Sequence, residues 1–70
     1  MKIFAQRIKE LREERKLTQR QVAENLGIHH ATLHGYEHGN HQPDLEMVHK
    51  IARYYGVSVS YLFGEEDYAG

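Results

Sequence analysis

Thr18-Gln19-Arg20-Gln21-Val22-Ala23-Glu24-Asn25-Leu26-Gly27-Ile28-His29-His30-Ala31-Thr32-Leu33-His34-Gly35-Tyr36-Glu37-His38-Gly39 is the stretch on which the fold turns. Thr18, with Gln21 three residues later, has the spacing of a capping box, in which each side chain satisfies a free N–H of the other's backbone. A short helix is predicted from Gln19 to about Asn25, with Val22, Ala23 and Leu26 facing inward. Gly27 ends it, because glycine takes a left-handed backbone without steric cost. A further helix, the third of the chain, is predicted from His29 or His30 to Glu37. Leu33 and Tyr36 give it an apolar side, and Gly39 ends it. Gly35 is the odd member: inside a helix, glycine costs about 1 kcal/mol relative to alanine.

The same signals extend outward. Phe4, Ile8, Leu11 and Arg15 recur at three- and four-residue spacing, which predicts a first helix from Lys2 to Arg15 with one apolar face. Residues 40–43 read as a loop. Asp44 then caps a fourth helix ending at Tyr55, with Leu45, Val48, Ile51, Ala52 and Tyr55 inside and Gly56 as its stop. Ser58 caps a last short helix to about Phe63, with Val59, Leu62 and Phe63 apolar and Gly64 following. The prediction is an all-α domain of five helices over residues 1–64, with no strand. An acidic, flexible tail follows over residues 65–70.

Composition narrows the possible activities. Seventy residues make one domain near the lower limit of independent folding, with little room for both a core and a deep cleft. There is no cysteine, hence no disulfide framework and no thiolate metal site, which fits a cytoplasmic protein. No apolar run is long enough for a secretory leader or a membrane span. No nucleophile–base pair or paired carboxylates stand out, so an enzyme is not expected, and no cofactor or metal is assigned. Net charge is −1, but it is unevenly spread. Residues 1–20 are basic, whereas Glu65, Glu66 and Asp67 make the end acidic. Six histidines, at 29, 30, 34, 38, 41 and 49, stand outside that count, five of them between 29 and 41.

Several ordered strings make the sequence recognisable. Arg7-Ile8-Lys9-Glu10-Leu11-Arg12, Leu17-Thr18-Gln19, Val22-Ala23, Leu26-Gly27-Ile28, Thr32-Leu33, Tyr36-Glu37-His38-Gly39, Pro43 and Gly56-Val57-Ser58-Val59 with Leu62 cover residues 3–64. Together they resemble the lambda-repressor-like helix-turn-helix family of phage Cro and repressor proteins and their bacterial regulator relatives. The residues fit that resemblance physically. Ala23 falls where the motif's two helices cross, where a small side chain lets the backbones approach, and Gly27 makes the tight turn between them.

The resemblance implies a compact five-helix DNA-binding domain whose second and third helices form the motif, the third entering the major groove. It implies an internal ion pair between Arg12 and Glu37. It places Gln19 on a phosphate at a helix N-terminus, beside Thr18, and has it brace the third helix. It turns His29, His30, Ala31, His34 and Gly35 toward DNA, with Thr32 near the backbone and Asn40, His41 and Gln42 along the phosphates. Here the sequence departs from the family pattern, which often carries Gln, Arg, Lys or Ser at these reading positions. Ala31 and Gly35 offer only an apolar contact or room for close approach.

His30, His34 and His38 stand i, i+4, i+8 on the third helix. Three readings are open for this stripe: direct DNA contact, metal chelation by an i, i+4 pair, and a solvated polar face. Val59, Tyr61 and Phe63, with Val57, Leu62 and Tyr68, form the candidate surface for a weak homodimer. The function expected is a DNA-binding transcription regulator in the cytoplasm, associated with the nucleoid. It would act as a repressor on a palindromic double-stranded operator. The alternative is a protein-interaction module, such as an antitoxin or a regulator that sequesters a protein partner. The histidine cluster generates a first prediction. A free imidazole titrates near ~6.5, so DNA affinity should rise as pH falls from about 7.5 to about 6. Binding isotherms at fixed salt check this, and a flat profile would refute it.

Overall fold

Phe4, Ala5, Ile8 and Leu11 line one side of the first helix, α1 (Lys2–Glu14), and are all buried. The same logic repeats along the chain. Val22, Ala23 and Leu26 are buried on α2 (Gln19–Leu26), and Leu33 and Tyr36 on α3 (His30–Glu37). Val48, Ile51, Ala52 and Tyr55 are buried on α4 (Leu45–Tyr55), and Leu62 on α5 (Val59–Leu62). All of these side chains except Ala5 form one hydrophobic cluster, against which Leu17, Ile28, Met47, Val57 and Phe63 pack from its edge. The computed structural model describes residues 2–67, and among these there is no strand. Among the described residues, no helix is long and apolar enough to cross a membrane.

The helix starts follow the cap residues. Thr18, Asp44 and Ser58 each accept a hydrogen bond from the N–H three residues on, at 3.0, 2.8 and 2.9 Å. Thr18 N–H in turn donates to Gln21 Oε1 at 2.8 Å, which completes the capping box. The helix ends share one device. Leu17, Ile28, Asn40, Val57 and Glu65 each donate an N–H to a carbonyl five residues back, at 2.8 to 3.2 Å. The residue before each has positive φ; in four helices it is glycine, whereas after α1 it is Lys16 at φ 57°. This motif fixes the short, sharp turns that let five helices share one core.

Two expectations are corrected. Leu45 is 70% exposed, because it stands in the first turn of α4 at the edge of the buried stripe. Arg15 does not join an apolar face. Its guanidinium donates to the carbonyls of Tyr55, at 2.7 Å, and Leu11, at 3.2 Å, closing the end of α4 from α1. The residues that follow α5 make hydrogen bonds back to the domain. Glu65 N–H donates to Ser60 O at 2.8 Å, and Glu66 O accepts from Arg7 Nη1 at 3.1 Å. Ser58 Oγ also donates to Glu66 Oε1 at 3.2 Å.

One polar cluster is buried within this core. Arg12 Nε and Nη2 donate to Glu37 Oε2 and Oε1 at 2.8 and 3.0 Å, a two-pronged pair joining α1 to α3. Arg12 Nη1 donates to Leu17 O at 2.9 Å, and Gln19 Nε2 donates to Glu37 Oε1 at 3.0 Å. The Glu37 side chain is 0% exposed and that of Arg12 is 13% exposed. Hydrogen bonding to Glu37 raises the Arg12 pKa still further, so the guanidinium stays charged. Nearby, the buried Tyr55 hydroxyl lacks a partner among the described residues. Burial, reinforced by the Glu37 charge, pushes its pKa well above the ordinary phenol value.

Arg12→Met should therefore cost about 3 kcal/mol or more, because it strands a buried carboxylate. Against a total stability of only several kcal/mol for a domain of this size, much of the chain would unfold. Arg12→Met with Glu37→Leu should recover part of the loss in urea titrations followed by circular dichroism. Wild-type stability for Arg12→Met would show that the pair contributes nothing. Tyr55→Phe should leave stability unchanged or raise it slightly, since the hydroxyl it removes is buried and unpaired.

Candidate nucleic-acid interface

The α2–α3 unit is built from beneath. Leu33, Tyr36 and Glu37 hold the inner side of α3 against α1 and α2. That arrangement turns His30, Ala31 and His34 outward, and all three are exposed. Thr32 is half-buried beside them. His29 at the start of α3, and His38, Asn40, His41 and Gln42 after it, are also exposed. The structure thus gathers the sequence-predicted positions around one short helix, with one exception described below.

The two ends of α3 differ in chemistry. His29 occupies its N-cap, and its side chain makes no capping hydrogen bond, unlike Thr18, Asp44 and Ser58. The first N–H groups of α3 therefore have no side-chain acceptor, and the helix dipole leaves this end positive. At the other end, the rings of His34 and His38 stack, with centroids 3.9 Å apart and planes 20° off parallel. His38 Nδ1 lies 2.9 Å from His34 O, a carbonyl that can only accept, so this nitrogen carries the proton. Imidazole lone pairs lie in the ring plane, so two parallel, stacked rings do not converge on a metal ion. The arrangement fits a polar, hydrogen-bonding surface better than a chelate.

Thr18 and Gln19 are positioned by different partners. The Thr18 hydroxyl oxygen is engaged as the cap of α2 and retains its O–H as a donor. The half-buried Gln19 directs one amide N–H onto Glu37 and so ties the start of α2 to the end of α3. Its second amide N–H remains available to an anion at the helix N-terminus.

Gly35 departs from its expected place. It is buried, because the imidazole of His41, from the following loop, lies over it. A Cβ at Gly35 would overlap His41 Cδ2 and stand 3.1 and 3.3 Å from Cγ and Nε2. The family resemblance turned residue 35 toward DNA, but could not show that the chain folds back to cover it. The only signal in the sequence was the glycine itself, costly in a helix and otherwise unexplained.

The candidate dimer residues are largely engaged within the monomer. The Phe63 ring stacks on Phe4 at 5.5 Å and 29°, and the Arg7 guanidinium stands 4.2 Å from the centre of the Tyr61 ring. Val59, Val57, Tyr61 and Phe63 are half-buried, Leu62 is fully buried, and Tyr68 lies outside the described residues. Sequence reasoning missed Lys50 as a structural group. Its Nζ donates to Leu26 O at 2.8 Å and so joins α4 to the end of α2.

Comparison with known proteins agrees with this architecture. A helix-turn-helix family model matches residues 8–62. The chain is 38% identical over 65 residues to the cryptic phage CTXphi transcriptional repressor RstR of Vibrio cholerae, covering 93% of this chain and 59% of that protein. It is 40% identical over 65 residues to the uncharacterized HTH-type transcriptional regulator YobD of Bacillus subtilis, covering 93% and 58%. It is 41% identical over 61 residues to the immunity repressor protein of Bacillus phage phi105, covering 87% and 42%. The chain thus spans about half the length of these relatives. A five-helix domain with an exposed, uncapped α3 held by Arg12, Gln19 and Glu37, and a family match across most of its length, lead to one assignment: the chain belongs to the Cro/C1-type helix-turn-helix family of DNA-binding transcription regulators.

Proposed function

We propose that this chain is a repressor that seats α3 in the major groove of operator DNA and acts by occupying a promoter. The observation that carries the reading is the polarity of α3. Its inner side is locked to α1 and α2 through Glu37, while its outer side presents exposed histidines and an N-terminus without a side-chain cap. A rigid helix with a free, positive end suits a polyanion approached N-terminus first. Two of the relatives named above are repressors, which supports the direction of regulation.

In this reading, His29, His30 and Ala31 face base edges, with His34 further along the helix. An imidazole N–H donates to guanine N7 or O6, and the Ala31 methyl meets a thymine methyl. Thr18 and Gln19 on one side, and Asn40, His41 and Gln42 on the other, hold the phosphates and set register. The six histidines stand outside the net charge of −1, and five of them lie between residues 29 and 41. The protein acts as a homodimer on two half-sites about one helical turn apart. The dimer is weak, since Val59, Tyr61 and Phe63 are half-buried and Tyr61 and Phe63 already have partners inside the monomer.

Selection of bound sequences from a random DNA pool tests the reading directly, and a palindromic site should emerge. On that site, Gln19→Ala should weaken binding about tenfold and equally for all sequences, because a phosphate contact carries no base information. His30→Ala should relax the preference at one base pair per half-site, by roughly 1–3 kcal/mol of discrimination. Failure to enrich any sequence would overturn the proposal. Strictly one-to-one binding to the palindrome would overturn its dimeric part.

A further inference from the structure

Gly35 and His41 form a pair that the docking reading alone does not explain. Gly35 lies in the interior of α3, where alanine would make a firmer helix. It is nevertheless buried, and its cover is a single imidazole from the loop that follows. The backbone reinforces the contact. Gly35 O accepts from Asn40 N–H at 2.9 Å and from His41 N–H at 3.3 Å, so loop and ring are anchored on the same residue. Ala31 stands one turn before Gly35 on the same side of α3. No larger side chain at position 35 leaves room for the ring where it lies, since even a Cβ overlaps His41 Cδ2. His41 as a whole is exposed.

We infer that Gly35 is the seat of His41, and that the seated imidazole is a phosphate-positioning residue which takes the place of a side chain at position 35. This rests on the docking of α3 in the major groove. A loop side chain is ordinarily free to rotate and loses that freedom when it grips a phosphate; one packed on a helix surface is already ordered. Phosphate rather than base is the contact because Gly35 lies near the C-terminal end of α3, whereas the helix enters the groove by its N-terminal residues. His41 donates an imidazole N–H to a phosphate oxygen beside the groove, and Gly35 acts only through the ring it carries.

The test is a cycle of four proteins: wild type, Gly35→Ala, His41→Ala and the double variant. Affinity is measured for the selected DNA site and for the same site with each base pair changed in turn. His41→Ala should bind about tenfold more weakly on every sequence. Gly35→Ala should lose as much, because its methyl group evicts the ring. The double variant should bind no worse than His41→Ala, while melting at a higher temperature than it, since alanine firms the helix once the ring is gone. In the free wild-type protein, a nuclear Overhauser effect between the His41 ring and the Gly35 α-protons should report the seat, and it should vanish in Gly35→Ala. Wild-type affinity for Gly35→Ala, losses that multiply in the double variant, or a His41→Ala loss confined to one base pair would each overturn the inference. If the wild-type protein enriches no DNA sequence, the docking reading falls and this inference falls with it. If it does enrich a site, the cycle tests the seat alone.

Discussion

The Arg12–Glu37 pair is the interaction on which the rest of the arrangement depends. Two charges buried together are costly to desolvate, and they stabilise a fold only when their geometry is good and their other hydrogen bonds are met. Here both conditions hold. The guanidinium meets the carboxylate with two parallel hydrogen bonds and directs a third to Leu17 O, while Gln19 fills a further acceptor site on Glu37. Three helices therefore converge on one carboxylate at the end of α3. The apolar cluster alone would tolerate small rotations of so short a helix, because hydrophobic contact has little directionality. The bidentate pair does not tolerate them, and it sets which residues of α3 are left facing out.

The outer surface of α3 then depends on what lies around it. The helix has only eight residues and one is glycine, so its own propensity is weak. It is held from beneath by Glu37, Leu33 and Tyr36, and at its C-terminal end by the turn through Gly39 that ties Asn40 N–H back to Gly35 O. From above, His41 covers it at Gly35. The start of α3 is the one helix start among α2 to α5 without a side-chain cap. Rigid support on three sides and an open N-terminus are what the proposed end-on approach of α3 to DNA requires.

Much of this was legible in the sequence because it rests on local rules. Thr18, Asp44 and Ser58 mark helix starts, since a side-chain oxygen three residues before a free N–H is a local geometry. Gly27, Gly56 and Gly64 mark ends because a left-handed residue is a local requirement. The buried stripes of α1 and α4 followed from three- and four-residue spacing. Arg15 and Leu45 did not follow. Both sit at stripe positions near a helix end, where spacing alone cannot say whether a neighbouring element is present. Arg15 found the exposed carbonyl of Tyr55 on α4, and Leu45 found solvent. Lys50, which reaches Leu26 O, left no sequence signal, because a lysine on the flank of a helix is ordinarily solvated.

The sequence by itself determined five helices, their caps and turns, and the helix-turn-helix unit, because each depends on residues within one or two turns of one another. The tertiary structure decided which polar groups meet. Arg12 and Glu37 are 25 residues apart in the chain, as recorded by their hydrogen bond, and Arg15 meets a carbonyl 40 residues away. It also decided that Gly35 is covered rather than open. Burial and pairing are properties of surfaces brought together from distant parts of the chain, and no local spacing encodes the direction from which His41 returns over the helix.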